Sequence, residues 1–500
     1  MQDKLKYINF LLIFLLHYCS EGKELGDVVI DEGNNKECSS NIECSDGLIC
    51  NGEERCEMGK CVPGPPPDCN DNDPCTIDYC SEEVGDCIHD LMDFDEDGYV
   101  DVSCGGTDCN DSNGEINPGA IEKCNFIDDD CDGEIYDDLY SLGREIALSD
   151  DSIDTLTKGI TFTGSEYGVV WVSAGNTITS DDGLYFARIS SEGIKLGERR
   201  RIVDRYPFYP VITYNGNGYG IVWSDFRDLD WEIYFCRLSI DGEKMGNDSR
   251  ITLSPGESVY SSIAFSGSEY GIAWEDARNT YKAVYFARIS AEGQKVEEES
   301  QISEETVNSR FPVIVFTGSE YGVSYSSMVS EGEYEIRFTR ISTEGIEIMP
   351  SKIIAGARGI TFPQTQLTWA GSEFGIIWHD IRRGPDYEIY LARVSIEGEK
   401  IGEEVQVTQT ETNSFDPSVT FANGVYAISW EQSLIDGTIQ IFFNRISTDG
   451  IVMGENLNLT SSTGECRFPV LIFTGNEYAI SWVDNSDGDY DVFFKRVGCI

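Results

Sequence analysis

The acidic segment that begins at Asp93 has the residue types and spacing of a calcium-binding loop. Carboxylates occupy its first, third and fifth positions (Asp93, Asp95 and Asp97), and Gly98 occupies the sixth. The alternation aims oxygens at one point, the glycine permits a sharp turn, and the next carbonyl, that of Tyr99, becomes a ligand. Cys104 stands where an EF-hand has its closing glutamate, so the segment is not a complete EF-hand.

Two further acidic clusters follow, at residues 108–113 and 128–133, and the second of them repeats the alternating spacing and the glycine. Every predicted ligand supplies oxygen, which favours calcium over copper because copper prefers nitrogen or sulfur donors. The sequence therefore predicts several calcium ions, and the alternative is a solvated acidic turn region. The predicted metal ligands are Asp93, Asp95, Asp97, Tyr99, Asp101, Asp108, Asn110, Asp111, Asp128, Asp130, Asp132 and Asp137.

The span 93–138 resembles the metal-binding motif family of bacterial surface proteins. The resemblance is carried by the Asp-x-Asp-x-Asp-Gly start, Asp-Cys-Asn-Asp at 108–111, Asn-Pro-Gly-Ala at 117–120 and Asp-Asp-Asp-Cys-Asp-Gly at 128–133. It departs from the family pattern after Gly133, where the acidic pair Asp137 and Asp138 lies one residue further along the chain than in the family. Some family members have been linked to copper. The resemblance implies a metal-binding segment, Asp-rich and Cys-containing, in a surface protein.

Cysteines are concentrated near the N-terminus, where 13 of the 17 lie between Cys38 and Cys131. Glycine, aspartate, asparagine and proline fill the gaps over residues 38–90, and such residues cannot form a large apolar core. Disulfides are therefore expected to stabilise this segment, since the CxxC pairs typical of zinc sites do not occur in it. The segment also resembles the Cys-rich repeats of exported bacterial proteins. Cys236, far along the chain, is expected to be free.

The first 20 residues have the pattern of a signal peptide. Lys4 and Lys6 precede an apolar run over residues 8–16, which is too short to span a membrane. We expect an exported protein, extracellular or on the cell surface (outer envelope), and the abundant cysteines agree with an oxidising compartment. The alternative is a lipoprotein signal acylated at Cys19, which would be the chain's one contact with a membrane.

The net charge of −53, from 89 acidic and 36 basic residues, excludes one class of partner. Binding to nucleic acid or to anionic lipid by bulk electrostatics needs a surplus of lysine and arginine. The charge is uneven, because residues 21–140 hold 35 acidic and 5 basic residues. More than half of the net charge therefore lies in the Cys-rich and Asp-rich segments.

The rest of the chain is built from repeats that must position any further site. A motif with the consensus Gly-Ser-Glu-Tyr-Gly-Val/Ile-x-Trp recurs seven times at intervals of 51–53 residues. Each repeat has four short β segments, which is typical of a propeller blade. We therefore predict an all-β chain: a seven-bladed β-propeller over residues 143–500, closed by 143–149 and preceded by a small, irregular, disulfide-rich, metal-binding domain. The motif tyrosines or their equivalents are Tyr167, Tyr219, Tyr270, Tyr321, Phe374, Tyr426 and Tyr478.

Residues that break the repeat are the better candidates for a ligand site. An aromatic-rich connection precedes the second repeat, and acidic residues and a tryptophan follow in the same repeat. Such a group suits sugar stacking and hydroxyl bonding, or protein contacts. The candidates are Tyr206, Phe208, Tyr209, Asp228, Asp230 and Trp231.

Two classes of function follow from these observations. The favoured class is an exported calcium-binding protein whose propeller is a binding or adhesion module for an extracellular glycan or protein. The alternative is an exported glycoside hydrolase or lyase, since propellers host sialidases. The Ser-x-Asp-x-Gly-x-x-Trp repeat of sialidases is absent, no GxSxG accompanies the few histidines, and no catalytic residue is assigned.

Overall fold

The computed structural model describes residues 37–120, 127–133, 139–149, 155–174, 182–204, 207–359 and 363–499. Its contacts divide the chain into two units, Met1–Pro118 and Gly119–Ile500. Among the described residues, no helix has the length and hydrophobicity to cross a lipid bilayer. Cys19 and the predicted signal peptide lie outside the described residues.

The N-terminal unit consists of two hairpins and short turns. Its strands are β1 (Arg55–Glu57), β2 (Lys60–Val62), β3 (Thr76–Ser81) and β4 (Asp86–Leu91), and its 3₁₀ helices are Asn41–Glu43 and Val102–Cys104. β1 pairs with β2 and β3 with β4, both antiparallel. In residues 37–118, the buried hydrophobic residues are Cys44 and Ile116. A core this small cannot hold the unit together, so covalent links must contribute.

The predicted disulfides are confirmed. Two bonds cross within the first hairpin region, two more cross in the second, and a fifth joins the regions. The pairs are Cys38–Cys56, Cys44–Cys61, Cys69–Cys87, Cys75–Cys104 and Cys50–Cys80. Cys109 and Cys131 are also disulfide-bonded. Links of this kind restrict the unfolded chain and offset the lack of a core.

The second unit is a seven-bladed propeller of seven four-stranded antiparallel sheets, as predicted. Strand β5 (Leu139–Ala147) precedes the first complete blade. Blades 1 to 3 are β6–β9 (Thr155–Phe162, Glu166–Ser173, Gly183–Ser190, Arg200–Asp204), β10–β13 (Pro207–Tyr214, Gly218–Asp225, Glu232–Ser239, Ser249–Arg250) and β14–β17 (Ser258–Phe265, Glu269–Asp276, Ala283–Ser290, Ser300–Gln301). The first strands of neighbouring blades contact one another around the ring, so they surround the central channel.

The remaining blades follow the same order. Blades 4 and 5 are β18–β21 (Ser309–Phe316, Glu320–Ser330, Glu333–Ser342, Glu347–Arg358) and β22–β25 (Gln366–Trp369, Glu373–Asp380, Glu388–Ser395, Lys400–Gln406). Blade 6 is β26–β29 (Ser414–Ala422, Val425–Ser433, Ile439–Ser447, Val452–Asn458), and blade 7 begins with β30–β32 (Cys466–Phe473, Tyr478–Asp484, Asp491–Cys499). Cys236 and Cys466 are buried, free thiols in blades 2 and 7.

Blade 7 takes its fourth strand from the start of the unit. β5 pairs antiparallel with β32, and Ile146 lies opposite Phe494. The strand overlaps the predicted closing segment 143–149 and begins four residues before it. Sequence from both ends of the propeller thus forms one sheet, which removes the exposed edges that an open ring would have.

The recurring motif packs one blade against the next. The motif tryptophan is buried wherever it occurs. The motif glycine lets the next blade's ring approach, because a Cβ on Gly271 would lie 2.7 Å from Cε1 of Tyr321. The motif glutamate forms a two-pronged ion pair within its blade, as in the 2.7 Å contacts of Glu166 with Arg188. The same glutamate accepts a hydrogen bond from Tyr219 of the next blade, at 2.8 Å.

Candidate functional sites

The first two acidic clusters of the sequence form one site in the N-terminal unit. Carboxylate oxygens of Asp95, Asp97 and Asp108 lie within 4.8 Å of one another, as do those of Asp93, Asp95 and Asp111. Asp108 is fully buried, at 0% exposure. Sequence spacing alone treated residues 93–98 and 108–113 as separate clusters, whereas the fold joins them in two groups that share Asp95.

Backbone hydrogen bonds hold the loop in the conformation that its spacing predicts. The amide of Gly98 donates to Oδ2 of Asp93 at 2.8 Å, and the amide of Tyr99 donates to Oδ1 of Asp97 at 2.9 Å. Gly98 has a φ of 99°, which a side chain would strain. The amide of Phe94 donates to Oδ1 of Asp111 at 3.0 Å and ties the second cluster to the first.

One oxygen of each of four carboxylates is buried and without a hydrogen-bond partner. These atoms are Oδ1 of Asp93 and the Oδ2 atoms of Asp95, Asp97 and Asp108. Burial, opposed by a backbone hydrogen bond and reinforced by the neighbouring negative charges, raises the pKa of Asp95. Buried like charges without donors are costly unless a cation neutralises them. The arrangement fits a bound metal ion, held by oxygen atoms.

Asp108 adds a carboxylate to the loop, although the position of the EF-hand glutamate holds a cysteine. Cys104, at the position of the EF-hand glutamate, is bonded to Cys75. The backbone of Asp108 is held against the loop because its amide donates to the carbonyl of Val100 at 3.0 Å. The closing carboxylate therefore comes from four residues further along the chain.

The other predicted ligands lie in different surroundings. Oδ1 of Asp101 accepts from the amide of Ser103 at 2.6 Å and so caps a 3₁₀ helix, and Oδ1 of Asn110 accepts from the hydroxyl of Ser112 at 2.7 Å. The third cluster repeats the turn of the first, since the amide of Gly133 donates to Oδ2 of Asp128 at 3.0 Å. In that cluster Asp130 and Asp132 are described as well, while Asp137 lies outside the described residues.

The structure separates the ligand-site candidates of the propeller into two groups. Phe208 packs edge-on against Trp231 with ring centres 5.1 Å apart. Oδ2 of Asp228 accepts hydrogen bonds from Tyr234 and Arg250, while Oδ1 of Asp230 accepts from the amide of Trp231. Both carboxylates therefore have internal partners. Tyr206 lies outside the described residues.

Tyr209 belongs to a different surface, which sequence reasoning did not identify. It packs against Tyr260 of blade 3, with ring centres 4.3 Å apart, and Tyr260 packs against Phe311 of blade 4 at 4.6 Å. Each of these residues occupies a β-bulge in the first strand of its blade. Their φ angles are 51°, 53° and 55°, a left-handed conformation that is unusual for aromatic residues. The three rings thus form a continuous arc across the first strands of blades 2 to 4, and all three line one cavity.

The bulge position varies from blade to blade, and that variation is the sequence signal that could have located the surface. In blades 6 and 7 the bulge is held by Asp416 and Phe468, which also have positive φ. In blade 5 the aligned residue is Gln364, which precedes the strand Gln366–Trp369 and forms no bulge with it. A position whose chemistry changes around a ring can form an asymmetric site. The position is found by aligning the first strands and taking the residue three before the conserved aliphatic residue, which is Ile212 in blade 2.

Polar residues behind the bulges connect adjacent blades. Each follows the motif tryptophan of its own blade and contacts the first strand of the next. Glu275 pairs with Arg310 at 2.8 Å, and Oε1 of Glu431 accepts from the amide of Phe468 at 2.7 Å. Burial, together with the charge of Asp416, raises the pKa of Glu431 to about 8.

His379 is the corresponding residue of blade 5. Its Nδ1 accepts from the amide of Asp416 at 3.4 Å. Burial lowers the pKa of His379, and the charges of Asp416 and Asp380 oppose that effect. A neutral imidazole with Nδ1 as acceptor is therefore the form that fits.

The repeated Asp–Arg pairs after the motif tryptophan are architectural. Asp225 accepts from Nε1 of Trp223 at 2.8 Å, and Asp276 accepts from Nε1 of Trp274 at 3.0 Å. The paired arginine stacks on a tyrosine of the same blade, as Arg278 does on Tyr285 at 4.1 Å. The same contacts in several blades stabilise the sheets rather than mark a ligand site.

A family model described as "Putative metal-binding motif", and named for copper binding, matches residues 108–137. The match confirms the metal-binding motif there. It includes the second cluster, and Asp93–Asp97 lie outside it although they share a site with Asp108. A search of the curated proteins finds no match to this chain.

Several solved structures resemble the chain at low sequence identity. A mutant of Trypanosoma rangeli sialidase displaying trans-sialidase activity is 13% identical, with a TM-score of 0.37, over 62% of this chain and 56% of that one. The α-L-arabinofuranosidase from Lactobacillus brevis is 10% identical, with a TM-score of 0.32, over 47% and 89%. A protein of unknown function from Dyadobacter fermentans is 8% identical, with a TM-score of 0.42, over 72% and 99%. The chain thus spans about half the length of the sialidase.

Proposed function

We propose that this chain is an exported protein that binds calcium in its N-terminal unit and whose propeller binds an extracellular glycan or protein. The observation that carries the calcium assignment is the set of four buried, unpartnered carboxylate oxygens on Asp93, Asp95, Asp97 and Asp108. Buried oxygen atoms that no donor satisfies need a cation when their carboxylates cluster as closely as those of Asp95, Asp97 and Asp108.

The donor set favours calcium over copper. Calcium takes six to eight oxygen ligands in flexible geometry, whereas copper selects nitrogen or sulfur donors. The cysteines nearest the loop do not offer thiolates, because Cys104 and Cys109 are disulfide-bonded. In residues 37–118 the histidine is His89, which pairs instead with Asp78 at 2.6 Å.

The disulfides support export. Five pairs link residues 38–104, and such bonds persist in oxidising compartments. Calcium is also more plentiful outside cells, where binding loops can be weaker.

The alternative of a glycoside hydrolase depends on a pair of carboxylates that both reach the substrate. Asp416 and Glu431 are one candidate pair among the described residues, since the charge of Asp416 acts on Glu431. Glu431 has 0% exposure and its oxygens are engaged by Phe468 and Arg467. A carboxylate enclosed in this way cannot protonate a glycosidic oxygen, so we favour binding over hydrolysis.

Calorimetric titration of the chelator-treated full chain tests the calcium assignment. We expect calcium binding to the wild type and an affinity about tenfold or more lower in Asp108→Asn, because that substitution removes a buried ligand charge. Asp90→Asn is the matched control: Asp90 accepts a hydrogen bond from Tyr79, which asparagine preserves, and its affinity should stay within about twofold.

Calcium should also raise the melting temperature of the N-terminal unit, because a ligand that binds only the folded state stabilises it. A chain that binds copper but not calcium, or equal affinities for Asp108→Asn and the wild type, would contradict the assignment.

A further inference from the structure

The first strands of blades 2 to 5, with the two residues that precede the strand of blade 5, line an open cavity of about 120 Å³. Its wall includes the aromatic arc, Tyr209, Tyr260 and Phe311, and also Ser261 and Gln364. A second cavity, of about 70 Å³, shares Gln364 and continues to Asp416 and Phe468. The two cavities follow the inner strands in turn, from the aromatic arc past Gln364 to Asp416 and then to Phe468.

The larger cavity is uncharged although a quarter of all residues of the chain are charged. No aspartate, glutamate, lysine or arginine is among its lining residues in the described part of the chain. Burial raises the pKa of Tyr209, which keeps that phenol neutral. The hydroxyl of Ser261 is buried and has no hydrogen-bond partner. This lining suits a ligand that is neutral and carries hydroxyl groups.

Arg310 argues against a cationic ligand on the same rings. Its guanidinium lies 5.6 Å from the ring centre of Tyr260 and 4.7 Å from that of Phe311. Arg310 is held there by its ion pair with Glu275. The cation–π positions of the arc are therefore taken by a residue of the protein, and a second positive charge would be repelled.

The aromatic arc and the side-chain amides of Gln364 and Gln366 have the chemistry of a carbohydrate site. Aromatic rings offer apolar area against which the C–H face of a sugar packs, and amide and hydroxyl groups bond its equatorial hydroxyls. Gln364 stands between the arc and Asp416, and a carboxylate can accept from two neighbouring hydroxyls. The bulge positions differ among blades, so these contacts are not a requirement of the ring.

We propose that the larger cavity binds a neutral glycan, with one sugar ring on the arc of Tyr209, Tyr260 and Phe311 and the next unit directed towards Asp416. The proposal rests on the proposed binding function of the propeller and names its site and its class of ligand. It differs from the predicted site around Trp231, whose neighbouring carboxylates have internal partners.

The test uses the calcium-loaded full chain and a panel of neutral disaccharides: maltose, cellobiose, lactose and N,N′-diacetylchitobiose. Sialyllactose serves as the charged comparison, and binding is measured by saturation-transfer NMR and calorimetry. We expect at least one neutral disaccharide to bind, and its affinity to fall tenfold or more in Tyr260→Ala and in Gln364→Ala. Gln364→Ala keeps the test valid if Tyr260→Ala fails to fold, because it leaves the aromatic arc intact.

Phe226→Ala is the matched control. Phe226 is an exposed aromatic residue packed on Trp231, at 5.3 Å between ring centres, and belongs to the alternative surface. Its affinity for the disaccharide should stay within twofold of the wild type.

The outcomes separate the inference from the function on which it rests. Glycan binding that survives both cavity substitutions, or that is lost in Phe226→Ala, overturns the cavity site and leaves the propeller a glycan-binding module. If sialyllactose binds and none of the neutral disaccharides does, the proposal that the ligand is a neutral glycan is wrong. If none of these sugars and no glycan on an array binds, the glycan form of the proposed function fails together with the inference.

Discussion

Asp108 illustrates what one residue does in the N-terminal unit. Its side chain is fully buried, one oxygen accepts the amide of Asn110 at 2.7 Å, and the other has no donor. It therefore points a negative charge into a centre that already holds the charges of Asp95 and Asp97. Repulsion among these groups opposes folding unless a cation is bound, which links stability of the unit to metal.

His379 shows the opposite case, a group that the fold keeps neutral. Burial holds its pKa below the usual value of 6.5. The unfolded chain therefore binds more protons than the folded chain at mildly acidic pH, and the contribution of His379 to stability is present above pH 6.5 and is lost as pH falls. Its contact with the amide of Asp416 also helps to hold that bulge residue in place.

A melting experiment on His379→Gln tests this dependence. Glutamine keeps a hydrogen-bond acceptor but does not titrate. Between pH 7.5 and pH 5.5 the melting temperature of the propeller should fall more in the wild type than in the variant, by about 2 °C or more. The comparison between the two proteins removes the effect of other groups, such as Glu431, that titrate in both. If the melting temperature fell by the same amount with pH in the wild type and in His379→Gln, the assignment of a neutral, buried histidine would be wrong.

At the scale of the element, the recurring motif is explained by contacts between sheets. Glu373 illustrates it: Arg393 of the same blade binds it at 2.7 and 2.8 Å, and Tyr426 of the next blade donates to it at 2.6 Å. Glu477 and Tyr167 repeat the contact between blades 7 and 1. This contact joins blades 1 and 2, 5 and 6, and 7 and 1, and repetition of this kind reflects architecture.

Tyr426→Phe should destabilise the propeller, because it removes a hydrogen bond to a charged group and leaves one carboxylate oxygen less satisfied. We expect a loss of about 1.5–3 kcal/mol in the free energy of unfolding. Differential scanning calorimetry would register it as a lower melting temperature.

The chain offers a matched control for that substitution. Val425 replaces the motif glutamate in blade 6, and within the described residues no hydrogen bond joins the hydroxyl of the facing Tyr478 to a partner. Tyr478→Phe should therefore change the melting temperature little. Equal losses in the two variants would show that the hydroxyl contributes through something other than the glutamate.

The strand pattern was predictable at this scale and the bulges were not. Alternating apolar residues and turn glycines recur at a fixed interval, so local sequence determines four strands in each blade. The bulge residues Tyr209 and Tyr260 look like ordinary members of their strands in the sequence. Their left-handed conformation depends on pairing with the second strand, where the register shifts in a way that local sequence does not specify.

At the scale of the whole unit, stability depends on closing the ring. β5 joins blade 7, and its end is fixed by Leu148, whose amide donates to the carbonyl of Val492 at 2.6 Å. Ser149 follows and donates to Asp491 at 2.7 Å. Leu148 is buried, at 3% exposure, in the cluster shared by blades 1 and 7. The residues that close the ring thus come from more than 300 positions apart in the chain.

Leu148→Ala should weaken this closure by about 2–5 kcal/mol, since it removes a buried side chain and leaves a cavity. Hydrogen exchange should increase first in strands of blades 1 and 7. Leu196→Ala, at a leucine that is 38% exposed, provides the control and should leave both exchange and melting nearly unchanged. Uniformly faster exchange in all seven blades would indicate that the ring opens as one unit rather than at its seam.

The sequence by itself determined the repeat, the number of blades, the closing strand and the disulfide-rich start, because each follows from spacing and composition along the chain. It also determined the alternating loop at Asp93–Gly98, whose ligands are neighbours in sequence. Tertiary structure alone decided that Asp108 lies beside Asp95 and Asp97 and that Tyr209, Tyr260 and Phe311 form one arc. These groups are brought together by disulfides and by blade packing, which are contacts between distant segments, and local spacing carries no information about them.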